Sequence, residues 1–68
     1  MKARKYEFYI IDREFNDEYE YVAYFENDNE AIRFIVENVQ VGNEVIVESV
    51  KDVYVEKLDV QFVVEIEL

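Results

Sequence analysis

The chain has 68 residues, with 17 Asp and Glu against 7 Lys and Arg and no His, so its formal charge is −10. It holds no Cys, no Pro, no Trp and one Gly. These counts exclude disulfides, Cys or His zinc sites and any nucleophile–base pair built on His or Cys. They leave room for one domain, residues 1–68, with a thin core.

The acid is not spread evenly. Met1–Lys5 holds three basic residues and no acid, and is expected to be a basic, flexible N-terminal segment. The remainder carries 4 basic against 17 acidic groups, a balance of −13. Such a body repels nucleic acid and anionic membrane and attracts basic proteins. At 51% hydrophobic the chain is too apolar for a disordered acidic tail. No apolar run reaches the ~18 residues that a membrane span needs. Nor is there a signal-peptide core, and a cytoplasmic, intracellular location is the expectation.

In chain order, Tyr6–Phe15 alternates as a strand. Asn16-Asp17 is a candidate tight turn, because both residues tolerate positive φ. Glu18–Phe25, rich in Tyr, Phe and Val, reads as the second strand. A two-residue turn predicts Phe8 opposite Phe25, Ile10 opposite Ala23, Ile11 opposite Val22, Tyr9 opposite Tyr24 and Arg13 opposite Glu20.

Asn27 and Glu30 have the spacing of a capping box, and Asp28 suits the positive end of a helix dipole. Ile32, Ile35, Val36 and Val39 form a stripe at helical spacing. Phe34 lies off that stripe and is expected against a flanking strand. The helix should end near Val41, with Gly42 in the left-handed position after it.

Glu44–Lys57 reads best as one long strand, with a bend near Lys51 and a turn at Leu58-Asp59 leading into Val60–Leu68. That hairpin would pair Val55 with Phe62, Val53 with Val64 and Tyr54 with Val63. The predicted fold is a single small α+β domain of order β-β-α-β-β, a four-stranded antiparallel sheet with one helix packed on one face.

One helix covers only one sheet face. Phe8, Ile10, Tyr21, Ala23, Phe25, Val45, Val47, Val53, Val55, Phe62, Val64 and Ile66 are assigned to the covered side. The opposite side would show Tyr9, Ile11, Phe15, Val22, Tyr24, Ile46, Val50, Tyr54 and Val63. An open antiparallel face is normally polar, so an apolar one reads as an interaction surface. Tyr9, Ile11, Val22, Tyr24, Ile46, Tyr54 and Val63 are the candidate self-association face of a two-fold homodimer. Glu48, Asp52, Glu65 and Glu67 are expected on the same side, with Asp52 opposite Glu65.

Chemistry is scarce. Ser49 is the one Ser, and there is no Thr. A carboxylate pair needs a concave pocket that so small a sheet hardly provides. Glu26–Glu30 is oxygen-rich but lacks calcium-loop spacing, and reads as a helix cap. There is no glycine-rich phosphate loop. No catalytic residue, metal site or cofactor is therefore expected.

Carboxylates two apart on a strand lie about 6.6–6.8 Å apart on one face, a rough imitation of successive phosphates. Glu18 with Glu20 and Glu65 with Glu67 have that spacing; with Glu48 and Asp52 they form the candidate acidic partner-binding set. The functional expectation is a non-enzymatic acidic module that occupies a basic, nucleic-acid-binding surface on another protein. This is the character of small phage- or virus-type inhibitors, DNA mimics of the anti-restriction or anti-CRISPR kind. The alternative is a small homodimeric structural or regulatory module whose acidity serves solubility alone. Neither direct nucleic-acid binding nor a membrane partner is expected.

Overall fold

The computed structural model describes residues 1–58 and, as backbone, 63–67. In chain order the elements are β1 (Lys2–Asp12), β2 (Asp17–Phe25), α1 (Asp28–Asn38), β3 (Glu44–Tyr54) and β4 (Val63–Glu67). β1 lies between β2 and β3 and is antiparallel to both. The short β4 runs antiparallel along the other side of β2.

The expected four-stranded sheet of two hairpins is thereby corrected. The body of the sheet is three-stranded, β2-β1-β3, with one helix, and only the α+β class is retained. β3 does not fold back onto the strand that follows it. It pairs with β1, which begins at Lys2 and so takes the basic segment into the sheet centre. Ala3 stands opposite Val53 and Lys2 opposite Tyr54, whereas Val63 and Val64 stand opposite Val22 and Tyr21. The physical reason lies in length: β1 offers β3 an eleven-residue strand to ladder with and β4 one of five, so β3 satisfies more of its backbone groups on β1, with Arg4 set against Asp52. The predicted Val55–Phe62 pair and the turn at Leu58-Asp59 involve positions outside the described residues.

The first hairpin forms in a different register. Phe8 faces Tyr21, Tyr9 faces Glu20, and Asp12 faces Asp17, leaving residues 13–16 as the connection. The Asp12 carboxylate accepts from the backbone N–H of Glu14 at 2.9 Å and of Phe15 at 3.4 Å. Asn16 takes the left-handed conformation at φ 57°. An Asp at the start and an Asn at the end thus build a longer turn than the Asn16-Asp17 pair suggests. Arg13 bonds Glu44 of β3 rather than Glu20.

α1 starts as the capping residues require. Asn27 is extended, and its side chain accepts from the Glu30 N–H at 3.0 Å. The helix ends at Asn38, sooner than expected, and Gly42 takes φ 97° in the turn beyond it. Its buried side is Ala31 with Phe34 and Ile35, while Ile32 and Val36 are 59% and 73% exposed. Phe34 meets Phe25 of β2 with ring centroids 5.7 Å apart.

The core joins Tyr6, Phe8, Ala23, Phe25 and Ala31, with Ile10, Tyr21, Val45 and Val50 packed at its margin. Phe8 is 1% exposed and stacks on Tyr21 at 5.3 Å, with the rings 8° from parallel. Tyr6 meets Phe25 edge-on at 5.6 Å.

β3 carries a bulge. Ser49 pairs with Glu7 and Val47 with Phe8, so Glu48 has no register partner. One extra residue reverses the alternation of a strand beyond it. Val50 therefore joins the helix side, and so by alternation does Tyr54; Val53 goes to the opposite face. All three were assigned the other way from sequence.

Candidate interaction surface

α1 packs over the side of the sheet that carries Tyr6, Phe8, Ala23 and Phe25. By strand alternation the opposite face carries Ala3, Lys5, Glu7, Tyr9 and Ile11 from β1. It carries Glu18, Glu20, Val22 and Tyr24 from β2, and Glu44, Ile46, Ser49, Lys51 and Val53 from β3. No described element covers it. Tyr9, Ile11, Val22, Tyr24 and Val53 are half-buried among their neighbours, and Ile46 is 47% exposed. Five residues of the candidate self-association set, Tyr9, Ile11, Val22, Tyr24 and Ile46, thus share one face. Tyr54 leaves it through the bulge and is 85% exposed. For Val63 the described backbone gives only its register, opposite Val22.

Charge divides this face along the strands. At one end Lys5 stands directly opposite Lys51, and Lys5 reaches Glu7 at 3.4 Å. At the other, Ile11 lies between Glu18 of β2 and Glu44 of β3. At this end Glu18 and Glu20 of the open face stand in register with Glu67 and Glu65, and on the helix side Asp12 faces Asp17. Like charges directly opposite one another destabilise a sheet. Four of the six candidate acids, Glu18, Glu20, Glu65 and Glu67, are gathered here by backbone register. Glu48 lies apart, exposed at the bulge.

Asp52 belongs to a different cluster. It does not face Glu65; it faces Arg4. The Arg4 guanidinium donates to Asp52 at 3.0 Å and to Asp28, at the helix start, at 2.9 Å. Lys2 adds a 3.6 Å pair to Asp52, and the Tyr6 hydroxyl donates to Asp28 at 2.6 Å. Hydrogen bonds from Tyr6 and then Arg4 hold the Asp28 carboxyl below its ordinary range, and the Arg4 bond does the same for Asp52. Burial, and then the bond to Asp28, push the Tyr6 hydroxyl up. This cluster ties β1, β3 and α1 together. The signal for it was present in sequence: Arg4 lies in phase with Tyr6 and Phe8, and a charge on a core-facing register requires a partner.

The Arg4 cluster makes stability depend on pH in a defined direction. A carboxyl lowered in the folded state stabilises above its unfolded value and stops doing so as pH falls through the folded one. Acidification below the ordinary aspartate value near 3.8 therefore removes the contribution of Asp28 and Asp52. In urea titrations at pH 7 and pH 2.5, Arg4→Met should lower the midpoint at pH 7 and differ less from wild type at pH 2.5. An equal deficit at both pH values would show that Arg4 acts through packing alone.

Among the described residues, the open grooves on the helix side bring no nucleophile and base together. One runs under the end of α1, between Phe8, Ile10, Tyr21, Phe34 and Val39. Another lies along Phe25, Phe34 and Leu58 with Glu26, Glu30 and Glu37 at its rim. Among the described residues no three acids converge as a cation site, and no helix is long and apolar enough to cross a membrane. Compared with known proteins, the chain matches no family model, no curated protein and no solved structure.

Proposed function

We propose that this chain is a non-enzymatic protein-binding module whose acidic end docks on a basic, nucleic-acid-binding surface of another protein and keeps nucleic acid from it. The observation that carries this reading is the set of acid–acid oppositions at one end of the sheet. Acids that serve only solubility can lie anywhere on the surface, and spreading them avoids the repulsion. Here they are gathered in backbone register at one end of the sheet. Along each strand the same-face spacing is about 6.6–6.8 Å, and adjacent strands lie about 4.8 Å apart. A surface that binds a phosphate backbone with Lys and Arg can meet such an array with the same side chains. The target class is a DNA-processing or host-defence protein, and the role is that of a small phage- or virus-type inhibitor, a DNA mimic. An inhibitor of that kind works in the cytoplasm, the host's if the chain is viral.

The test is competition. Purified restriction nucleases and CRISPR effectors, each holding labelled duplex DNA, are titrated with the protein while fluorescence anisotropy is followed. The expected result is displacement of DNA from at least one of them, weakening steeply between about 50 and 200 mM salt. Glu18→Lys/Glu20→Lys should abolish it. Displacement from none, equal displacement at both salt concentrations, or full activity of the double variant would each overturn the reading.

A further inference from the structure

We infer that the outer edge of β3 is the seat of a second copy of this chain, paired antiparallel, β3 to β3, about a two-fold axis perpendicular to the sheet. The order β3-β1-β2-β4 leaves that edge without a neighbouring strand among the described residues. Three features support a second copy as the occupant.

The first is the spacing of the backbone groups. Met1 and Val55 exchange N–H to O bonds in both directions, so they are a hydrogen-bonded pair that extends the β1–β3 ladder. Alternation then turns the backbone groups of Val53, Lys51 and Ser49 toward β1, and beyond the bulge those of Ile46 and Glu44. Val45, Val47, Val50, Asp52 and Tyr54 are left with N–H and C=O directed outward. Two residues separate Val47 from Val50, where a regular strand has one between outward groups. A regular strand therefore matches only half of this edge. An antiparallel second copy carries the same extra residue. With Val47 opposite Val50 of the second copy, and Val45 opposite its Asp52, outward groups meet outward groups on both sides of the axis. A bulge guards an edge against ordinary strands; this one is complementary to itself.

The second is what meets across the seam. Val47 and Val50 pair twice beside the axis, and no acid stands opposite an acid. Ile46 lies opposite Lys51 of the second copy, along whose aliphatic stem it can pack. The ammonium of that Lys51 lies one diagonal from Glu48, within reach of long side chains. Neither Lys51 nor Glu48 makes an ion pair within the chain among the described residues, whereas Glu44 keeps Arg13 and Asp52 keeps Arg4. Antiparallel pairing also sends the two acidic ends in opposite directions, which limits the repulsion between chains of −10 each.

The third is an exposed apolar flank. Phe34 meets Phe25 of β2. At about 100° per residue, Ile32 and Val36 each lie about 160° round α1 from Phe34, away from β2 and toward β3. They are 59% and 73% exposed, and Val47 is 45% exposed. An axis perpendicular to the sheet keeps both helices on one side, so these residues of the two copies face one another across the seam.

This inference does not rest on the basic-target reading: Glu18 and Glu20 lie on β2, away from the seam.

The test is mass by sedimentation equilibrium with matched circular dichroism. Wild type should give twice the 8.2 kDa chain mass. Val47→Pro removes an outward N–H and no bond to β1, and should halve the mass with the secondary structure unchanged. Val22→Lys, on the helix-free face, should keep the doubled mass. A wild-type mass of 8.2 kDa at millimolar concentration overturns the inference. So does a folded Val47→Pro that stays dimeric, or a folded Val22→Lys that is monomeric. If the variants fail to fold, amide hydrogen exchange of wild type at two concentrations decides. Protection at Val47, Val50 and Asp52 should rise with concentration, while Ile46, Lys51 and Val53 are protected at both. Outward amides that exchange equally at the two concentrations overturn the proposal. DNA competition enters none of these outcomes, so this inference and the functional reading can fail separately.

Discussion

Phe8→Ala is expected to remove a large share of the protein's stability at 25 °C. Phe8 is 1% exposed, stacks on Tyr21, and sits in the hydrophobic cluster that joins the sheet to α1. Truncating a buried Phe to Ala costs about 3–5 kcal/mol, from lost transfer energy and the cavity left behind. A domain of 68 residues has in all roughly 3–10 kcal/mol. Its core offers few large side chains to close the void: Ala23 and Ala31 are already small, and Tyr21 would lose its stacking partner. Phe8→Leu keeps most of the volume and should lose about 1–2 kcal/mol while remaining folded. Urea denaturation followed at 222 nm measures both. A wild-type midpoint for Phe8→Ala would mean that this cluster is not the core.

Ala31→Leu should be the second most damaging change, and it contrasts with Ile32→Ala one position on. Ala31 and Ala23 are both 0% exposed and lie in the same cluster, so α1 rests on the sheet through small side chains. Three added carbons in that space force a rotamer or helix shift, at about 1–3 kcal/mol. Leu and Ala have similar helix propensity, so the loss reports packing. Ile32 is 59% exposed, and trimming it should change stability by no more than about 0.5 kcal/mol. The pair tests the rotation of the helix. If Ile32→Ala proves the costlier change, the buried side of α1 is the stripe that large apolar residues alone would suggest.

That contrast shows where sequence reasoning reached and where it stopped. A hydrophobic stripe counts bulky residues, and so it favoured Ile32 and Val36 over Ala31. Close helix–sheet approach selects by smallness, which the count does not register. The β1–β2 pairing was misread by four residues because the turn is built from Asp12 to Asn16. A shift by an even number keeps every side chain on its face. Phe8, Ile10, Tyr21, Ala23 and Phe25 were therefore legible as helix-side residues, and Tyr9, Ile11, Val22 and Tyr24 as their opposites. β3 was less forgiving. An extra residue at Glu48 changes parity, and nothing in Val47-Glu48-Ser49 announces it; Val50, Val53 and Tyr54 all change sides as a result. Asp52 follows the same rule and ends on Arg4. The acidic array was legible for Glu18 and Glu20, which depend on β2 alone. The partner strand of Glu65 and Glu67 was not, because strand order is decided by long-range competition between edges.

The central place of β1 also bears on how the chain is made. β1 leaves the ribosome before either of its two partners, and the farther one, with Lys2 against Tyr54, follows only after β2 and α1. Until β3 arrives, β1 and β2 can form only a hairpin, and an isolated hairpin is marginal in water. During that interval β1 presents an open edge flanked by Tyr6, Phe8 and Ile10, the kind of exposed strand that captures other nascent chains. Residues 1–43 carry ten acidic against five basic groups, and that net negative charge opposes contact between neighbouring chains while the sheet waits for its third strand. The acidic excess therefore also opposes aggregation of the half-made sheet during translation.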